Sequence, residues 1–317
     1  MIRPIPGLAP DLGAAVAEPP DADRSLPPVV LVHGIHDNLR RWMHSIPGLP
    51  DPDWSVPSFD PVAPPSPISP RHERKLRLLE QLDARGLRGL AFSYQRPDLT
   101  RGAIRSLAEA TDALDVMVER ARERFDSDVV ALVCHSRGGL VARSFLSRAG
   151  AAPKVHRLVT LATPHEGSGV ASAGDEILKR VAAMTAAIRE WITLGVLADF
   201  EALLGGYRNL SARCEEIETL RAAGFPSLPG GIAAAAGDVA AYLRYKIPFR
   251  EGSLPGDLRA LSFLDIPEFR DGEGDMVVSV ASALAVPAGS ATRVFRANHL
   301  TLCHEPEAIE WIIGAVS

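Results

Sequence analysis

The stretch Val129-Val130-Ala131-Leu132-Val133-Cys134-His135-Ser136-Arg137-Gly138-Gly139-Leu140-Val141-Ala142-Arg143 decides how this chain folds. Its first half is an apolar run rich in β-branched residues, as suits a strand buried on both faces. The run breaks at Cys134-His135-Ser136, two glycines follow, and Leu140, Val141, Phe145 and Leu146 then recur at helical spacing. The pattern predicts a strand, a sharp turn and a helix, with a serine at the apex. Such a turn strains the apex backbone and brings strand and helix close beneath it, so small side chains are needed on either side. Gly138 and Gly139 meet that need after the serine. Cys134 stands where the Gly-x-Ser-x-Gly pattern has its first glycine, and cysteine is compact and readily buried.

The flanking sequence repeats the same alternation. Val29 to Val32 is a short apolar run between Pro28 and His33-Gly34, which predicts a central parallel strand ending in a loop. His72 to Ala84 predicts a helix with Leu76, Leu79 and Leu82 on one side, and Leu87 to Tyr94 the next strand. Ala103 to Phe125 predicts a long amphipathic helix, its charged residues forming a solvated face. Val155 to Ala162 is another buried strand, leading into Thr163-Pro164-His165-Glu166-Gly167-Ser168. Strand and helix alternate, so the fold class is α/β with a mostly parallel, doubly wound sheet. In such sheets ligands bind at the C-terminal edge of the strands.

Three stretches depart from that rhythm. Residues 1–26 are rich in Pro and Asp and read as an N-terminal arm over the surface, leaving one domain over 27–317. Residues 43–71 carry too many prolines for a helix and predict a long irregular loop beside the His33-Gly34 strand end. From about 169 to 255 the strand signal gives way to helical spacing (Ile177, Val181, Met184, Ile188, Trp191), with a second helical piece near Ile232 to Tyr245. This reads as a helical cap insertion, either simple core packing or an acyl-chain pocket. The sheet returns with strands at Ala260 to Ile266 and Thr292 to Arg296, and Pro306 to Val316 forms a closing helix.

Composition narrows the function classes. A formal charge of −5 over 317 residues gives no basis for nucleic acid or an anionic lipid surface as partner. The three cysteines, Cys134, Cys214 and Cys303, make neither a disulfide framework nor a metal-ligand spacing. No apolar run is long enough for a membrane span, and the N-terminal residues lack the apolar core of a signal peptide, so a cytoplasmic protein is expected. No cofactor or metal is implied, and the oligomeric state is not encoded in any feature of the sequence.

A serine hydroxyl is a weak nucleophile at neutral pH and needs a base within reach, which in turn needs an orienting acid. The candidates follow Ser136 in the order Asp275, then His299. Asp275 follows a glycine-containing loop and His299 follows the last strand, so both can reach the edge that displays the serine. Asp271 competes for the acid's role and His304 for the base's. Asp275 is favoured by the apolar Met276-Val277-Val278 after it, and His299 because Glu305-Pro306 beyond His304 starts a helix. His135 points away on a strand-like backbone and reads as structural. His33 and His165 brace the loops they begin, and His36, Asp37 and Asn38 shape or solvate the first of these loops.

These blocks together resemble the α/β-hydrolase superfamily, and within it the bacterial triacylglycerol lipases and esterases. The residues that carry the resemblance are Val30-Leu31-Val32-His33-Gly34, Cys134-His135-Ser136-Arg137-Gly138-Gly139, Leu161 to Ser168, Gly274-Asp275-Met276-Val277-Val278 and Asn298-His299-Leu300. The resemblance implies an α/β-hydrolase fold and an oxyanion hole made by the backbone N–H groups of Ile35 and Arg137. It implies a carboxylic ester hydrolase working through an acyl-enzyme, on a small-molecule or lipid ester. An acyltransferase on the same scaffold and a non-catalytic, hydrolase-like binding protein are the alternatives.

Overall fold

Strand residues whose neighbours on both sides are apolar have no solvent face to offer, and the sheet is made of such runs. The computed structural model describes residues 2–4, 14–35, 41–43, 76–94, 105–172, 210–211, 213–239, 266–299 and 301–317. Among them are strands β1 (Ile2–Pro4), β2 (Ala14–Ala17), β3 (Val29–Val32), β4 (Gly89–Phe92), β5 (Val130–His135), β6 (Val155–Leu161), β7 (Ile232–Gly237) and β8 (Ala291–Phe295). They form one sheet in the order β1-β2-β4-β3-β5-β6-β7-β8. From β4 to β8 every pairing is parallel, and β1 and β2 add an antiparallel edge.

Successive strand residues face opposite layers. Val30, Val32, Leu132 and Cys134 pack on helices α2 (Leu107–Phe125) and α3 (Arg137–Leu146), through Leu114, Met117, Val141 and Phe145. Val29, Leu31, Ala131 and Val133 pack on α1 (Leu78–Ala84) and, further along the chain, the closing helix Pro306–Val316, through Leu79, Leu82, Ile309 and Ile312. Helix α4 (Glu215–Ala223) joins the first layer through Ile217 and Leu220. A short α5 (Val280–Ala283) follows, and the closing helix is α6. Helix α2 starts at Leu107 because Ser106 and Glu109 form a reciprocal cap: Glu109 N donates to Ser106 Oγ (3.2 Å) and Ser106 N to Glu109 Oε2 (2.8 Å).

Two expectations are corrected. The stretch read as a surface arm, residues 1–26, contains β1 and β2, and β2 pairs along the outer edge of β4. Ala14–Ala17 is fully buried there, a run too short to stand out among the surrounding prolines and acids. The piece read as helical near Ile232 to Tyr245 begins as strand β7, so the sheet resumes inside the stretch read as a cap to residue 255. Alanine favours helix in isolation, but Ala233 to Ala236 lie buried between β6 and β8, where packing outweighs propensity. The proline-rich segment beyond Met43, the Ile177 to Trp191 stretch, the start of the His72 helix, and residues 260–265 of the Ala260 to Ile266 strand lie outside the described residues.

Candidate active site

Strand β5 carries Ser136 to the C-terminal rim of the sheet, where its backbone turns to φ 53°, ψ −128°. An L-residue adopts that conformation only when its surroundings enforce it. Here Ser136 N donates to Leu161 O at the end of β6 (2.8 Å), and Gly139 N donates to Ser136 O (3.0 Å). The glycines are needed for close approach: a Cβ on Gly138 would lie 2.5 Å from Val32 O and 2.6 Å from His33 O, and one on Gly139 would overlap Thr163. Cys134 is fully buried in the α2–α3 layer, and that burial pushes its thiol pKa up.

The loop between β7 and β8 and the segment after β8 bring the other groups to the same rim. His299 Nε2 is 2.9 Å from Ser136 Oγ, and His299 Nδ1 is 2.9 Å from Asp275 Oδ2. All three side chains are buried. Asp275 turns its second oxygen inward, where Oδ1 accepts the N–H groups of Val277 (3.0 Å) and Val278 (2.7 Å). His299 N donates to Asp275 O (3.1 Å), so the two residues are tied through main chain as well as side chain. With Nδ1–H donated to the carboxylate, Nε2 is left as an acceptor aimed at the serine hydroxyl.

The rivals sit elsewhere. His304 Nδ1 donates to Leu76 O (2.9 Å), its Nε2 accepts from Arg77 Nη1 (3.1 Å), and Asp271 is exposed in a turn. His33 braces its loop: Nδ1–H donates to Gly34 O (2.7 Å), Nε2 accepts Tyr94 N–H (3.2 Å), and the ring stacks on Tyr94 with centroids 4.1 Å apart. His165 Nε2 lies 3.1 Å from Thr160 Oγ1, and burial followed by the charge of Arg143 lowers its pKa to about 3. His135 is nearer the site than its strand position suggested. Its Nε2–H donates to His299 O (2.9 Å), and burial, ahead of the charge of Arg41, pushes its pKa well down, so it is a neutral prop for the His299 backbone.

The resemblance offers the N–H groups of Arg137 and Ile35 as oxyanion donors. Arg137 is the first residue of α3, so its N–H has no acceptor within the helix. Its side chain turns away, Nη2 donating to Arg105 O (2.8 Å). Gly34 abuts the serine: a Cβ there would lie 2.9 Å from Ser136 Cβ, and Ile35, the next residue, is buried. His36, Asp37 and Asn38 lie outside the described residues. Three residues beyond the expected set share this rim. Glu268, Ser168 and Ser282 are buried and hydrogen-bonded to its loops; Ser168 closes the Leu161 to Ser168 block, while nothing in the sequence context of Glu268 and Ser282 sets them apart from solvated polar residues. Among the described residues no cluster of three His, Cys, Asp or Glu could hold a metal ion, and no helix is long and apolar enough to cross a membrane.

Residues 27–207 match the family model described as the alpha/beta hydrolase fold. Among solved structures, the mature form of a Bacillus licheniformis lipase aligns with a TM-score of 0.58 at 19% identity, covering 96% of this chain and 98% of that one. Its propeptide form gives the same score and identity over 96% of this chain and 53% of that one. A proline iminopeptidase-related protein from Thermus thermophilus aligns at 16% identity and a TM-score of 0.48, over 100% of this chain and 96% of that one. No curated protein sequence matches the chain. At 19% identity the two lipase structures speak to the fold alone. The family match takes in the His33-Gly34 loop, β5 and the serine turn, the elements on which the sheet order turns. On that ground the chain belongs to the alpha/beta hydrolase fold family.

Proposed function

We propose that this hydrolase-family chain cleaves carboxylic esters through an acyl-enzyme, with Ser136 as nucleophile, His299 as general base and acid, and Asp275 as the orienting acid. The observation that carries this reading is the unbroken relay from Ser136 Oγ to His299 Nε2, and from His299 Nδ1 to Asp275 Oδ2, at 2.9 Å for each step. As Oγ attacks the ester carbonyl, its proton passes to Nε2, and the imidazolium is stabilised by Asp275 across the Nδ1–H bond. The carbonyl π electrons move onto oxygen, and the N–H groups of Ile35 and Arg137 are the donors for that oxyanion. Each such donor is worth about 2.7–4 kcal/mol of barrier. Collapse expels the alkoxide, which takes the proton from Nε2. Water then repeats the sequence on the acyl-enzyme, with His299 accepting its proton, and the acid leaves.

Lipid or medium-chain acyl esters are the favoured substrates. The apolar helical spacing between Ile177 and Trp191 supports them, and one structural neighbour is a lipase. Initial rates on aryl esters of increasing chain length, with Ser136→Ala beside the parent, test both parts. The parent is expected to turn over these esters and to be labelled by a serine-directed phosphonate. Ser136→Ala should lose both while keeping its circular dichroism. Undiminished turnover in that variant rejects the nucleophile, a maximum at the shortest chains rejects the lipid preference, and a parent inert to ester and phosphonate alike points to a binding protein. Transfer of the acyl group to an added alcohol in preference to water would mark an acyltransferase.

A further inference from the structure

One buried carboxyl at the active-site rim has no part in the relay. Glu268 lies in the single turn Pro267–Phe269 and is 2% exposed. Its Oε1 accepts the N–H of Gly169 at 2.7 Å, while Oε2 meets no donor among the described residues. Its main-chain carbonyl accepts the N–H of Met276 at 2.8 Å. Met276 holds φ at 86°, in the region that favours glycine, so this turn is imposed by its contacts. The next two N–H groups, of Val277 and Val278, are those that grip Asp275 Oδ1. Glu268 therefore holds from outside the turn that Asp275 holds from inside.

The other end of the tie is the segment leaving β6. Around Gly169 that segment is joined to the Asp275 loop at further points. Ser168 Oγ donates to Val277 O (2.6 Å), and Ser282 Oγ donates to Gly167 O (2.7 Å). The carboxyl fits closely against the segment, since a Cβ on Gly169 would lie 2.7 Å from Oε2. Burial raises the Glu268 pKa, the Gly169 N–H opposes that rise, and the charge on Asp275 adds to it. A carboxyl in so dry a place costs stability, so apolar packing alone does not explain its presence.

We propose that Glu268 is a positioning residue for the reaction at Ser136: by bonding Gly169 with its side chain and Met276 with its backbone, it sets where Asp275 presents Oδ2 to His299. The inference rests on the serine-hydrolase reading above. It is tested with Glu268→Gln, which keeps an acceptor for Gly169, and Glu268→Ala, which does not. Glu268→Ala should lower kcat on a soluble aryl ester by about tenfold to a hundredfold with KM essentially unchanged, the signature of a displaced reacting group. Glu268→Gln should restore most of that loss. The low-field proton resonance of His299 Nδ1–H should shift or broaden in Glu268→Ala and keep its place in Glu268→Gln. A folded Glu268→Ala with parental kcat and an unmoved resonance overturns the proposal, as does a folded Glu268→Gln as impaired as the alanine variant. Should the alanine variant fail to fold, Glu268→Asp, too short to reach Gly169, should show the same loss and the same resonance change, and parental behaviour there overturns the proposal. The resonance needs no turnover. A parent inert to esters and phosphonate therefore removes the hydrolase reading, while the resonance still decides whether Glu268 holds the pair.

Discussion

Asp275 has one oxygen occupied by two backbone N–H groups and the other committed to His299, so its orientation leaves little choice of rotamer. Asp275→Asn preserves the shape and an acceptor for those N–H groups, but turns an N–H toward His299 Nδ1. The imidazole then has to carry its proton on Nε2, facing the serine it should deprotonate. A fall in kcat of about 10³–10⁴-fold is expected with an unaltered circular dichroism spectrum, and a loss below tenfold would count against the assigned tautomer. Ser136, Asp275 and His299 were open to proposal from the sequence, because Ser136 and His299 follow patterned strands and an apolar run follows Asp275. Glu268 was not, because Pro267-Glu268-Phe269 looks the same whether its acid meets water or Gly169. His135 reads as structural from its strand position, but its partner is a carbonyl returned from residue 299, a contact that only the closed sheet creates.

At the level of the elements, two glycines in helices make opposite demands. Gly138→Ala puts a methyl group against the Val32 and His33 carbonyls, which belong to a central strand end and have no room to move. A loss of about 1–3 kcal/mol is expected, together with a displaced serine turn. Gly314→Ala, on the exposed side of α6 with nothing within 4 Å of the added carbon, should gain about 0.5–1 kcal/mol. Urea unfolding of the two variants checks both signs, and a stabilised Gly138→Ala would overturn the packing beneath the serine. The elements that periodicity could find were long or strongly apolar, as α2, β5 and α6 are. Those it missed share a cause: Ala14–Ala17 and Ile232–Gly237 are alanine-rich, and alanine signals a strand only once neighbouring strands have enclosed it.

For the molecule as a whole, acid sensitivity follows from histidines held neutral. His165 has a pKa of about 3 and His135 is also pushed well down, both chiefly by burial. In the unfolded chain each would titrate near ~6.5. Between that value and about 3 the unfolded state binds more protons, so stability is full above the window and declines as pH falls through it. Glu268 and Glu305, whose pKa values burial raises, have the opposite sign, but Asp23 and Glu119, held low by hydrogen bonds from Ser25 and Lys154, add to the decline. The melting temperature should therefore hold steady near neutrality and drop toward pH ~4, with a shallower slope in His165→Gln. A melting temperature that climbs on acidification would contradict the buried neutral rings. At the other end of the sheet from β8, the rim is finished by β1 and β2, and among the described residues β2 is what pairs with the outer edge of β4. Trimming the chain ahead of residue 18 uncovers that row of donors and acceptors, a template on which a second copy can settle. Preparations shortened in this way should run large on a sizing column, and their lost turnover would then report clumping rather than damaged chemistry.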